Sequence, residues 1–304
     1  MRSIHFIVNN YLFLYSATML ISMHKLIILT TLLTFFATFS DAQSGKMQHK
    51  PISIGITDEI NSTILSEKRP LNIYLPEGYN PSDTTTYSVI YLLDGGLDED
   101  FIHIVGLVQF NTFPWINRLP KSIVVGIVNV DRKRDMTFPT TIKADKEKYP
   151  TTGGSMKFMS FIEKELQPYI QAHYKVNANK TLIGESLGGL FATEVLFEKP
   201  YLFNKYIIVS PSLWWDNGSL LKEKMAISST VPSADLHIYI GVGKEGLTPT
   251  VEPRVMEVDA NVLADKIKAV NNKHITIYFD YLPAEDHATI GHQAVFNAIK
   301  SFAL

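Results

Sequence analysis

From about residue 50 onward the chain alternates short apolar runs with longer amphipathic stretches. Leu71–Leu75, Ser88–Leu93, Ser122–Val130, Thr181–Ile183, Tyr206–Val209, Leu236–Val242 and Ile275–Phe279 are short, apolar and rich in Val, Ile and Tyr, and they predict strands. Ahead of them, behind a polar lead-in, a weaker pattern predicts an early strand pair around Ile52–Ile56 and Ser62–Ser66. Between the later strands the apolar period lengthens to that of a helix. Met156, Met159, Ile162, Leu166 and Ile170 fall on one face, and Leu187–Phe197, Val258–Val270 and Thr289–Phe302 are further helices. Strands that are apolar throughout must be covered on both faces, so the alternation predicts an α/β fold: a mostly parallel central sheet, doubly wound, with helices on both faces. No repeat, low-complexity tract or Pro/Gly-rich linker divides the chain after residue 50, which predicts a single domain. The segments 97–118 and 131–153 are read as loops that shape the pocket, since ligands of such sheets bind beyond the carboxyl ends of the strands.

The N-terminus follows a different pattern. Ile4 to Ile21 is apolar with polar interruptions, and a cleaner apolar run spans Leu26 to Phe39 behind Met23-His24-Lys25. Ser40-Asp41-Ala42 resembles a small-x-small cleavage site, so residues 1–42 read as an export segment with Met23 as the true start and cleavage after Ala42. Residues 43–304 then form the catalytic domain. The expected location is periplasmic or secreted, with no stable membrane insertion after cleavage. Membrane anchoring is the alternative, although Leu26–Phe39 is shorter than the roughly 20 residues that span a bilayer.

Composition narrows the classes of function. With 46% hydrophobic and 19% charged residues the chain is globular, and 28 basic against 30 acidic residues, with no run of like charge, give no footprint for nucleic acid. The absence of cysteine removes disulfides, thiol nucleophiles and thiolate metal sites. Gly184-Glu185-Ser186-Leu187-Gly188-Gly189 follows the apolar Thr181-Leu182-Ile183 and precedes a helical pattern, the strand-turn-helix setting of a nucleophile elbow. Small residues at 184 and 188 let the backbone turn sharply enough to expose the Ser186 hydroxyl.

A serine needs a positioned base, and histidine titrates near neutrality. His287, in Pro283-Ala284-Glu285-Asp286-His287 after the final strand, stands at the right place in the order serine, acid, histidine. His292 is the alternative inside the last helix. The acid is expected at the end of the preceding strand, where Glu245 follows Ile238–Val242. Asp280, Glu285 and Asp286 are its substitutes, and a serine–histidine pair without a strong acid is a further alternative. An oxyanion needs two backbone donors, read as Leu187, just after the serine, and Gly96, in the turn that ends Tyr91-Leu92-Leu93-Asp94-Gly95-Gly96. His103, shortly after that turn, is at most substrate-facing.

These residues give the chain a resemblance to the esterase D-like family of α/β hydrolases, which includes siderophore trilactone (enterochelin) esterases and feruloyl esterases. The segments that carry it are Tyr91–Gly96, Val124-Val125-Gly126-Ile127 with Asn129 and Arg132-Lys133-Arg134-Asp135, Phe158–Tyr174, Gly184–Gly189 and Ser210-Pro211-Ser212-Leu213-Trp214-Trp215. The match covers roughly residue 55 to the end. The resemblance implies the α/β-hydrolase fold, Ser186 as nucleophile, Leu187 and Gly96 as oxyanion donors, and Glu245 and His287 as partners. Arg132 or Arg134 then suits an anionic or metal-chelated substrate, and Trp214 and Trp215 an aromatic wall. The expected activity is hydrolysis of a small-molecule carboxylic ester through an acyl-enzyme, with no cofactor and no metal. An acyltransferase on the same scaffold and a noncatalytic hydrolase-like binding protein are the alternatives.

Overall fold

The apolar runs pair edge to edge into one eight-stranded sheet. A computed structural model of the protein describes residues 15–31, 50–228, 235–248, 250 and 253–303. The strands are β1 (Ile56–Ser62), β2 (Glu67–Tyr74), β3 (Tyr87–Leu92), β4 (Ser122–Ile127), β5 (Val176–Glu185), β6 (Lys205–Val209), β7 (Leu236–Gly243) and β8 (Ile275–Leu282), in the order β1-β2-β4-β3-β5-β6-β7-β8. β2 is antiparallel to both of its neighbours, β1 and β4, and the remaining pairs are parallel. Side chains alternate across the sheet. Ile123, Val125 and Ile127 of β4 join one buried cluster while Val124 joins the other. Both faces are therefore apolar and both carry helices. Against the first pack α2 (Ser155–Phe161), continued by a π-turn at Ile162–Leu166 into α3 (Gln167–His173), with α4 (Leu187–Glu198) and α5 (Met256–Lys268); against the second pack α1 (Phe101–Thr112) and α6 (Ile290–Phe302). This is the mostly parallel α/β-hydrolase architecture expected from the sequence.

Contacts divide the chain into Met1–Ile52 and Ser53–Leu304. In the first unit residues 15–31 are helical, and among the described residues no helix is long and apolar enough to cross a membrane. The expected cleavage after Ala42 lies outside the described residues.

Two expectations are corrected. The early strand pair is shifted: β1 begins where its first strand was expected to end and pairs with the lengthened β2, while residues 63–66 make the turn between them. The cause is tertiary. Glu165, in the π-turn, accepts the Thr63 and Ile64 amides at 3.0 and 3.1 Å and also the Ser62 hydroxyl, which fixes the turn away from the ladder. Pro168 stands two residues beyond the π-turn, and its missing N–H deprives the Lys164 carbonyl, inside the turn, of its regular i+4 donor. The segment 97–118 is also not all loop. It contains α1, whose β-branched, nearly continuous apolar sequence hides a helical face.

A buried ion network holds the site's loops to the sheet. Arg69 on β2 and Asp135, both 1% exposed, bond at 2.6 Å, and Asp135 also accepts Arg134, which reaches Glu67. The Arg69 guanidinium lies 5.1 Å from the Phe158 ring. Asp135→Ala leaves the buried Arg69 with Glu67, 2.9 Å away, as its remaining carboxylate, and is expected to lower unfolding stability by about 1.5–3 kcal/mol, measured by denaturant titration.

Candidate active site

β5 ends in Glu185 and α4 begins at Leu187, so Ser186 alone makes the turn between them. It does so at φ 58°, ψ −116°, a conformation that costs a non-glycine residue about 1–3 kcal/mol. Close packing permits the turn only around glycine. A Cβ on Gly184 would stand 2.3 Å from the Gly188 carbonyl oxygen, and one on Gly189 2.8 Å from that of Val209. The strain is held by backbone bonds on either side: the Ser186 amide donates to Val209 at 3.0 Å, and its carbonyl accepts Leu190 and Ser212, each at 2.9 Å.

The loops after β7 and β8 bring the other groups to this hydroxyl. His287 Nε2 lies 3.0 Å from Ser186 Oγ, and its Nδ1 lies 2.6 Å from Glu245 Oε2. The two loops are clasped, since the Lys244 amide donates to the Glu285 carbonyl at 2.8 Å. Asp286 accepts the Ala288 and Thr289 amides, fixing the bend that turns His287 toward the serine. Glu245 Oε1 accepts the Ser210 hydroxyl and, at 3.2 Å, the Gly243 amide. The Glu245 side chain is 3% exposed and that of His287 45%, so the acid is sheltered while the imidazole meets solvent.

Burial alone pushes the Glu245 carboxyl up, but bonds from His287 and Ser210 outweigh it and hold the group below its ordinary value. The Glu245 bond holds His287 above its own, against the opposing effect of burial. The pair is thus poised for an imidazolium. Around it lie further carboxyls: burial, reinforced by neighbouring negative charge, pushes Glu185 up to about 7 and Asp100 to about 6.

The other named residues divide. Leu187 opens α4, where the first amides have no acceptor within the helix. The Gly96 amide is engaged, donating to Glu99 Oε2 at 2.9 Å. Arg132 binds Asp94 through two nitrogens at 2.6 and 2.9 Å and so ties the Gly96 loop to the loop after β4. Arg134 is committed to Glu67 and Asp135, which gives it a scaffolding place instead of a substrate-facing one. Trp214 is half-buried near Ser212, but Trp215 is 2% exposed and donates to the Phe138 carbonyl, so the expected two-tryptophan wall reduces to one. His103 closes, with Asp100, Glu185 and Gly291, a cavity of about 10 Å³, too small for a substrate group.

His292 packs its ring 5.9 Å from that of His103. Asp280 bonds Tyr239 and Asn297. Neither the alternative base nor the alternative acids displace His287 and Glu245 from Ser186. Cavities of about 460 and 610 Å³ elsewhere on the molecule are lined by none of these three residues.

Sequence reading missed Ser210, Ser212 and Glu99. Ser212 Oγ stands 3.4 Å from Ser186 Oγ, and Ser210 reaches Glu245 from a backbone at φ 41°. For the two serines, the position just after β6 was the available signal. A hydroxyl buttressed by imidazole and carboxylate, beside helix-terminal amides, can attack an acyl carbon and pass its proton to the imidazole.

Comparison with known proteins agrees with this chemistry. The family model described as "Putative esterase" matches residues 62–300. The chain is 29% identical over 256 residues to the ferri-bacillibactin esterase BesA of Bacillus subtilis (strain 168), covering 79% of this chain and 86% of that protein. Among solved structures it is similar to an IroE-like serine hydrolase from Shewanella oneidensis, at 31% identity and TM-score 0.71 over 81% of this chain and 79% of that one. It is likewise similar to a BES protein from Bacillus cereus, at 26% identity and TM-score 0.72 over 85% and 99%.

Proposed function

This chain belongs to the esterase family whose model it matches and is a serine ester hydrolase; on that premise we propose that it opens siderophore-type esters through an acyl-enzyme on Ser186. The observation that carries the site assignment is the continuous relay from Ser186 Oγ through His287 at 3.0 Å to Glu245 at 2.6 Å. Ser186 attacks the ester carbonyl while His287 Nε2 takes its proton. The tetrahedral oxyanion is held by the Leu187 amide and by the Gly96 amide once Glu99 has left it, and it collapses as His287 returns the proton to the leaving alcohol. Water, deprotonated by the same imidazole, then releases the acid. Throughout, Glu245 keeps Nδ1 protonated and offsets the imidazolium charge.

The substrate class rests on the relatives, which include a ferri-bacillibactin esterase, and on Trp214 and the one-third-exposed Arg132 as candidate contacts. The test is a comparison of kcat/KM for a ferric siderophore trilactone, a feruloyl ester and a short acyl ester. The trilactone is expected to exceed both by about tenfold or more, about 1.4 kcal/mol in transition-state binding. A preference for the simple acyl ester overturns the substrate assignment and leaves the esterase intact. The Met23-His24-Lys25 and Leu26–Phe39 pattern supports export, with a mature chain starting at Gln43. The intact mass of the exported protein checks this, and a soluble exported chain retaining earlier residues contradicts it.

A further inference from the structure

The Gly96 amide, one of the two donors assigned to the oxyanion, is held by a side chain of the protein itself. Gly96 is buried, and its N–H points to Glu99 Oε2 at 2.9 Å. The carboxylate sits over the residue closely, since a Cβ built there would lie 2.7 Å from the same oxygen. The other oxygen, Oε1, accepts Asn129 Nδ2 at 2.7 Å. Asn129 also donates to Asp94 at 2.6 Å, so two carboxylates share one amide group.

Asp94 and Glu99 differ in their freedom. Asp94 is buried and gripped by Arg132, whereas Glu99 is exposed and can rotate away without disturbing the core. While Glu99 stays, an oxygen that becomes negative at this amide meets a carboxylate, and Leu187 alone is left to stabilise it. The surroundings do not draw Glu99 off. Asp94, Asp98, Asp100 and Glu185 make this side of the site acidic, and Arg132, the cation bonded within the network, is already held by Asp94. Besides water, the donor that takes over the exposed Glu99 carboxylate is then one that arrives with the substrate.

Resting on the reading of Gly96 as an oxyanion donor, we propose that Glu99 is a specificity-determining residue. It is a displaceable carboxylate that favours esters whose acyl group carries a hydrogen-bond donor, an amide N–H or an ammonium, on the carbon next to the scissile carbonyl. Such a donor takes over the carboxylate as the carbonyl oxygen takes over the Gly96 amide. An ester without it must break the Glu99 bond with only water to compensate the carboxylate.

The test uses two p-nitrophenyl esters, the N-acetyl-alanine ester and its analogue with CH2 in place of the amide NH, on wild type, Glu99→Ala and Glu99→Gln. Glu99→Ala is expected to raise kcat/KM for the CH2 ester by about tenfold, and for the N–H ester by less than threefold. Glu99→Gln, nearly isosteric and uncharged, is expected to change both in the same direction and by less. The same fold-change on both esters, or no gain on the CH2 ester, overturns the proposal. Labelling of wild-type Ser186 by a fluorophosphonate tests the underlying reading separately. Absence of labelling sinks the site assignment, whereas labelling with equal fold-changes sinks only the role of Glu99.

Discussion

Ser186→Ala is expected to lower kcat for ester hydrolysis by about a million-fold, with His287→Ala nearly as severe and the double variant little worse than either. The reason is geometric. The hydroxyl is useful only while His287 Nε2 stands 3.0 Å away to accept its proton, and without the serine there is no acyl-enzyme for the imidazole-activated water to hydrolyse. Groups that act as one unit are lost as one unit, so the effects do not add. Binding and the backbone donors remain in Ser186→Ala, and the residual rate is expected to exceed that of water by about 10³–10⁴. Steady-state hydrolysis of a p-nitrophenyl ester, with mass-spectrometric detection of fluorophosphonate on Ser186, checks both parts. A Ser186→Ala protein that keeps wild-type turnover removes the acyl-enzyme mechanism.

Glu245→Gln is expected to reduce kcat by about 10³–10⁴ while leaving the fold intact. Two effects combine. The carboxylate, 3% exposed and 2.6 Å from Nδ1, fixes the tautomer in which Nε2 is free to accept the serine proton; an amide can donate to Nδ1 and select the wrong one. The substitution also removes the charge that stabilises the imidazolium. The pH dependence separates these from a packing defect. In the wild type Glu245 raises the His287 pKa above its ordinary value near 6.5, and only the neutral imidazole is a base. Activity is therefore expected to fall as pH drops through a point above that value. Without the carboxylate His287 loses its proton more readily, so the acid limb of the residual kcat/KM should move to lower pH. Wild-type kcat with an unmoved acid limb would mean that Glu245 plays no part and that Ser186 and His287 work as a pair.

Much of this site could be read in the chain because its parts sit at element ends, and element ends are written locally. The Gly184–Gly189 elbow needs glycine wherever backbones approach within van der Waals contact, and His287 and Glu245 each follow an apolar run that could only be a strand. The inward placement of Arg134 and Trp215 was not legible, for the opposite reason. A guanidinium beside a loop and an indole after a strand carry no local mark of the direction they face. It took Asp135 at 1% exposure and the Phe138 carbonyl to turn them inward. The hairpin turn at residues 63–66 is placed by Glu165, roughly a hundred residues away in sequence, a separation that no periodicity can register.

The sequence by itself determined the sheet-and-helix alternation, the strained serine turn and the order serine, acid, histidine, because hydrophobic period, glycine sterics and strand ends are properties of neighbouring residues. Tertiary structure alone decided that Glu245, and not Asp280 or Asp286, meets His287, and that Ser210 supports it. It alone placed the Glu99 carboxylate on the Gly96 amide. Hydrogen bonds form between groups that packing brings within about 3 Å, and that proximity belongs to the folded chain.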